Sequence, residues 1–167
     1  MISEALQKAI DSLQIHDVYV RDLVARCIND FDPKYDADLD ALVVQTKHYV
    51  KQSMIVDVDE NRLLRVFVDL GARWIDEAEK DESDSVKILI ESAFVAEYVV
   101  QEELEEESIK EFSLKNASYH IWPYWRELLN NQCMRMHVPC IVLPTVQFAD
   151  NRIDDSSQLE KSATKGG

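Results

Sequence analysis

The spacing of apolar positions changes character along this chain, and each change marks an element. Near the start, Ile2, Leu6, Ala9, Ile10 and Leu13 recur at intervals of one to four, mostly three and four. That leaves one apolar stripe and predicts a short helix over residues 1–14, with Ser3 placed to cap it. From Leu64 the period falls to two. Leu64, Val66, Val68, Leu70, Ala72 and Trp74 alternate with positions that include Arg65, Asp69 and Arg73. This predicts a strand with one buried face. Residues 86–100 are also rich in β-formers. Val86, Ile88, Ile90, Phe94, Ala96, Tyr98 and Val100 share one face. The opposite face carries Lys87, Leu89, Glu91, Ala93, Val95, Glu97 and Val99, half of it apolar, which suits cover by a partner or substrate chain. Residues 15–28 and 42–56 are two further predicted strands.

Between these runs the chain is polar. Residues 30–40 are rich in Asp and contain Pro33, residues 57–61 form the next turn, and the acidic stretch 76–85 reads as a hairpin loop. Four long strands joined in this way predict an antiparallel meander. After Val100 comes an acidic run, Glu102, Glu103, Glu105, Glu106 and Glu107, expected as a solvated connector or short exposed helix. The longest predicted helix covers residues 122–136, with Pro123 in its first turn. Tyr124, Leu128, Cys133 and Met136, with Trp125, Leu129 and Met134 beside them, leave it little polar surface, so burial on several sides is expected. Pro139 and Pro144 keep residues 138–148 extended. From Ala149 the chain is polar and is expected to be disordered. The reading is one α+β domain over residues 1–148 and a disordered polar tail over 149–167. The domain has a four-stranded antiparallel sheet, a short N-terminal helix and one long C-terminal helix.

Composition narrows what such a domain can do. Of 167 residues, 46% are hydrophobic, enough for a core, and the net charge is −14. A chain of that charge is repelled by phosphate backbones and by anionic lipid, so neither nucleic acid nor a membrane surface is an expected partner. Basic segments of unfolded chains suit it better. Three cysteines, Cys27, Cys133 and Cys140, suggest no disulfide framework and point to reduced thiols in a cytoplasm. The start of the chain lacks the pattern of a signal peptide, and no run is long and apolar enough to span a membrane. Gly71, Gly166 and Gly167 are the only glycines. That excludes the phosphate-binding loop and the dinucleotide fingerprint, and argues against ATP use. No serine has the glycine neighbours of a nucleophile elbow. His120, Cys133, His137 and Cys140 match no standard zinc spacing. No catalytic residue, metal site or cofactor is assigned, and enzymatic activity is not expected.

One run is more specific. Ile121-Trp122-Pro123-Tyr124-Trp125-Arg126-Glu127 resembles the signature that opens the main helix of the protein-export chaperone SecB, a hydrophobic-Pro-Tyr-x-Arg-Glu segment. Arg135-Met136-His137-Val138-Pro139 resembles the turn that follows that helix. Leu143-Pro144-Thr145-Val146-Gln147-Phe148 resembles the family's Leu-x-Pro-hydrophobic-Asn-Phe segment with a small offset. Val18-Tyr19-Val20-Arg21-Asp22-Leu23 resembles its first strand. The resemblance covers residues 15–148. It implies an ATP-independent holdase that binds unfolded polypeptides, assembled as a homotetramer, a dimer of dimers with the long helices between the sheets. It implies export of clients to the SecA motor, docked through Asp22, Leu89 and Glu91, where Arg26 reverses a further acidic position. The alternative is a dedicated chaperone protecting an antitoxin of a toxin–antitoxin system. The helix before the first strand and the lack of a second C-terminal helix resemble that branch of the family. Leu143, Val146, Phe148, Trp74 and Tyr98 are the expected client groove. Pro123, Tyr124, Arg126 and Glu127 are expected to be structural, with Arg126 and Glu127 an ion-pair set that anchors the helix end and Trp122 and Trp125 packing in the core.

Overall fold

The computed structural model describes residues 1–36 and 38–143. Helix α1 spans Glu4–Ser12 and opens where the stripe predicts, because the Ser3 side chain accepts the Leu6 N–H. Strands β1 (Leu13–Cys27), β2 (Val43–Val58), β3 (Asn61–Ile75) and β4 (Val86–Val100) follow, with a helical turn α2 (Glu82–Ser85) in the last hairpin loop. The expected strands are all present. Their neighbours differ from a meander: the sheet order is β1-β4-β3-β2, antiparallel throughout. The tight turn 59–60 joins β2 to β3, and the hairpin loop 76–85 joins β3 to β4. The connection 28–42 is long enough to carry the chain across the sheet, so β1 covers the free edge of β4 instead of pairing with β2.

The acidic connector is shorter than its charge suggests. From Glu106 the chain is helical: α3 (Glu106–Phe112), a π-helical stretch (Ser113–Ala117) and α4 (Ser118–Arg135) run without a break. Pro123 therefore sits inside α4, not in a first helical turn. It follows the wide π turn, and both are usual sites of helix bending. The helix stops at a Schellman turn, in which His137 takes a left-handed φ of 58° and the Val138 N–H reaches the Cys133 carbonyl at 2.9 Å.

The core lies between the helices and one face of the sheet. Leu64, Val66, Val68, Leu70, Ala72 and Trp74 of β3, and Ile88, Ile90, Phe94, Ala96 and Tyr98 of β4, are all buried there. Phe112, Ala117, Ile121, Trp122, Trp125, Leu129 and Cys133 face them from the helices. Trp125 meets Phe94 edge-on at 6.5 Å, and Tyr98 meets Phe112 edge-on at 4.8 Å. Helix α1 closes one end. Its Ser3 hydroxyl donates to Glu111 Oε2 at 2.6 Å, and the Gln101 N–H reaches the Ser12 carbonyl.

Candidate functional site

A four-stranded sheet is wider than the helix laid on it. Strands lie about 4.8 Å apart, so the outermost two are separated by about 14 Å, against a helix diameter of about 10 Å. The central strands are covered and the edges of the same face are not. On β1 the inward positions are Ile15, Val18, Val20, Leu23, Ala25 and Cys27, paired with inward residues of β4. Ile15 is 50% exposed, Val20 40% and Leu23 39%. On β2 the inward Val44, opposite Trp74, is also exposed, while Val50 and Ile55 are half-buried against the core. An apolar strip on β1, and a shorter apolar patch at Val44 on β2 where Thr46, His48 and Ser53 interrupt the inward series, therefore flank the helix. Helix α4 is itself buried on one side only: Tyr119, Tyr124 and Met134 point outward and are exposed.

The described residues of the sequence-predicted groove are buried. Trp74 and Tyr98 are buried at 3% and 1% exposure, at opposite ends of the sheet, so neither presents surface to a client in the isolated chain. Leu143 is buried against the core. Val146 and Phe148 lie outside the described residues, as does the tail 149–167. The signature residues Pro123, Tyr124, Arg126 and Glu127 are exposed on α4, while Trp122 and Trp125 are buried, as core residues should be. Arg126 and Glu127 form no ion pair within 4 Å among the described residues.

The residues expected to dock a motor are brought together. Asp22 is opposite Ala93, Val24 opposite Glu91 and Arg26 opposite Leu89, so Asp22, Leu89 and Glu91 share the outer sheet face with Arg26. Glu91 is not free: its carboxylate holds Lys47 Nζ at 3.0 Å across Gly71. Further along the face, the Arg21 and Arg65 guanidiniums stand 5.5 Å and 5.2 Å from the Phe67 ring centre. Arg65 also donates to the Tyr19 hydroxyl at 2.6 Å and faces Glu97 at 3.7 Å. These contacts cover Phe67 of β3 from within the chain, and Val95, its partner on β4, is buried as well.

Polar groups inside are few and mostly partnered. The Tyr98 hydroxyl lies 2.9 Å from His120 Nδ1, and burial lowers the His120 pKa while raising that of Tyr98. His48 Nε2 lies 2.6 Å from the Ser118 hydroxyl. Burial, with Cys140 as a second cause, pushes the Cys133 thiol up to about 11, so it stays protonated at neutral pH. Among the described residues no three His, Cys, Asp or Glu converge as a metal-ligand set, and no helix is long and apolar enough to cross a membrane.

The β1 strip escaped sequence reading for a definable reason. Bulges at His16 and Arg21 break the alternation, so the inward residues follow spacings of three and two. The signal was present as an apolar series whose period slips twice.

No protein-family model and no curated protein matches the chain. Among solved structures, the chain is similar to the SecB-like chaperone of Mycobacterium tuberculosis in complex with a ChAD peptide from the HigA1 antitoxin. The TM-score is 0.65 at 15% identity, over 87% of this chain and 98% of that one. A short N-terminal helix, a four-stranded sheet and a long C-terminal helix, in this order and at this coverage, are the SecB-like chaperone fold.

Proposed function

We propose that this protein is an ATP-independent holdase that binds unfolded polypeptides on the apolar strip and patch beside α4. The observation that carries the reading is the mismatch between sheet and helix, which leaves Ile15, Val20 and Leu23 open on a face that is otherwise core. Each client side chain seated there gains about 1–3 kcal/mol at most. Such contacts hold a chain only in numbers, which is what several copies of one site in a homotetramer supply through effective concentration. Exposed Tyr119, Tyr124 and Met134 on α4 suit helix packing between subunits of such an assembly. Release then needs competition or refolding and no hydrolysis. The reading makes the protein a cytoplasmic chaperone and not an enzyme.

The client is better read as an antitoxin than as an export substrate. The similar fold was solved with an antitoxin peptide bound. Docking of a SecA-like motor through Asp22, Leu89 and Glu91 meets Lys47 on Glu91 and Arg26 beside Leu89, both of the wrong sign for the acidic docking face that the resemblance implies. Light scattering from a chemically unfolded client, with the protein at stoichiometric ratio and no nucleotide, tests the holdase. Suppressed aggregation supports it. Full aggregation beside folded, assembled protein removes the general holdase and leaves a chaperone dedicated to one partner.

A further inference from the structure

The charge of this protein is unevenly placed. Its carboxylates crowd the connections, in 30–40, 57–60, 76–84 and 101–107. The outer sheet face departs from that balance. By strand register it carries Arg26, Lys47, Arg65 and Arg73, and the bulges add Arg21 and Lys51, against Asp17, Asp22, Asp69, Glu91 and Glu97. In a chain of net charge −14 this face has more cations than anions.

One end of the face is the most one-sided. Arg26, Leu89, Arg73 and Gln45 form a single row across all four strands, with no acid in it. Arg26 is exposed and Arg73 half-exposed. Neither makes an ion pair within 4 Å among the described residues, and Arg73 donates only to Gln45 Oε1 at 2.8 Å. The one carboxylate of the next row, Glu91, is already held by Lys47. Two strand spacings put the Arg26 and Arg73 backbones about 10 Å apart, with half-buried Leu89 between them. Beside the row, Gly71 leaves a hollow of about 310 Å³ walled by Gln45, Lys47, Arg73 and Glu91.

We propose that this end of the outer face docks an acidic segment of a partner protein. Carboxylates of the segment engage the forks of Arg26 and Arg73, and an apolar side chain between them rests on Leu89 or enters the hollow over Gly71. An extended chain advances about 3.4 Å per residue, so two acids two or three positions apart span the arginines once side-chain reach is included. The charge chooses this partner: a basic segment meets two unpaired guanidiniums, and its natural anchor, Glu91, is occupied. The surface is on the side of the sheet opposite the apolar strip, so client holding and docking are separable.

The test is fluorescence anisotropy with a labelled peptide of about a dozen residues, two glutamates flanking a leucine, beside its lysine counterpart. The glutamate peptide is expected to bind saturably, and about tenfold more weakly as salt rises from physiological to several times that. Arg26→Glu with Arg73→Glu is expected to weaken it at least about tenfold while suppression of client aggregation is unchanged. The milder pair Arg26→Gln and Arg73→Gln gives the same direction should charge reversal disturb folding. Equal or tighter binding of the lysine peptide overturns the proposal. So does an affinity indifferent to both pairs, which would place the peptide in the apolar strip. Self-association of the full chain that vanishes with the arginines would assign the face to a second copy instead, and displacement of the peptide by a short oligonucleotide would assign it to nucleic acid.

Discussion

Lys47 and Glu91 form an ion pair at 3.0 Å although β3 lies between their strands, and the pair exists because the intervening residue is Gly71. A Cβ there would stand 3.1 Å from Glu91 Cγ and 3.5 Å from its Oε1. Gly71→Ala should displace the carboxylate and abolish the contact. Both partners are substantially exposed, so the pair is worth less than about 1 kcal/mol. Alanine recovers about 0.5–1 kcal/mol of chain entropy in a strand. The net change in urea-unfolding free energy is expected within about 0.5 kcal/mol of zero. A double-mutant cycle with Lys47→Ala and Glu91→Ala should find coupling in the parent and none beside Ala at position 71.

The signature run divides by burial. Trp125 is 1% exposed and packs edge-on against Phe94, so Trp125→Ala should cost about 3–5 kcal/mol in the same assay. Arg126→Ala and Glu127→Ala touch exposed side chains with no ion pair and should each fall within about 0.5 kcal/mol. A loss above about 2 kcal/mol for either would show that the charges are partnered in the assembled protein.

These contrasts show how far the sequence could be read. Period two in β3 and β4 is unbroken, so Leu64 to Trp74 and Ile88 to Tyr98 could be assigned to a buried face, and the structure buries them. In β1 the bulges at His16 and Arg21 hide the inward series, and with it the strip proposed to seat clients. Strand order was equally hidden, because pairing of β1 with β4 depends on where a long connection leads and not on local pattern. Five glutamates masked the start of the helix, which α3 begins at Glu106 inside the acidic run. Trp74 and Tyr98 are aromatics at alternating strand positions, and only the helix layer above the sheet decides that both are buried in the isolated chain.

His120 gives the protein a pH dependence of definite sign. Burial lowers its pKa below the ordinary 6.5, so the folded chain resists the proton that the unfolded chain accepts. Its contribution is complete above about pH 6.5 and is lost as pH falls from there toward the depressed folded value. With both ring nitrogens protonated, Nδ1 can only donate toward the Tyr98 hydroxyl. The urea midpoint should therefore fall between about pH 6.5 and 5, before carboxylates titrate, and His120→Gln should flatten that fall. An unchanged slope in the variant would place the proton elsewhere.

Helix α4 carries Tyr124 at 51% and Met134 at 65% exposure on its outward side, a surface that water does not favour. If helices pack together in a tetramer, Tyr124→Asp with Met134→Asp should yield a smaller species in sedimentation velocity, with far-UV dichroism retained. A parent chain that sediments as a monomer at micromolar concentration would remove that packing altogether.

The β1 strip makes the sharpest functional claim. Val20 and Leu23 point to the core side of the sheet yet keep 40% and 39% of their surface. An aspartate at either position leaves its charge at the strip's wet edge, so Val20→Asp and Leu23→Asp should cost no more than about 1–2 kcal/mol of stability. The same charges face any apolar client segment laid in the strip, which would have to strip water from a carboxylate. Suppression of client aggregation should fall several-fold in each single variant and be lost in the pair. Removing a core residue such as Leu64, at 0% exposure, should do the reverse, lowering stability while the folded fraction still holds client. If the paired aspartates leave holding intact, clients bind elsewhere, and the β2 patch around Val44 is the surface the geometry leaves.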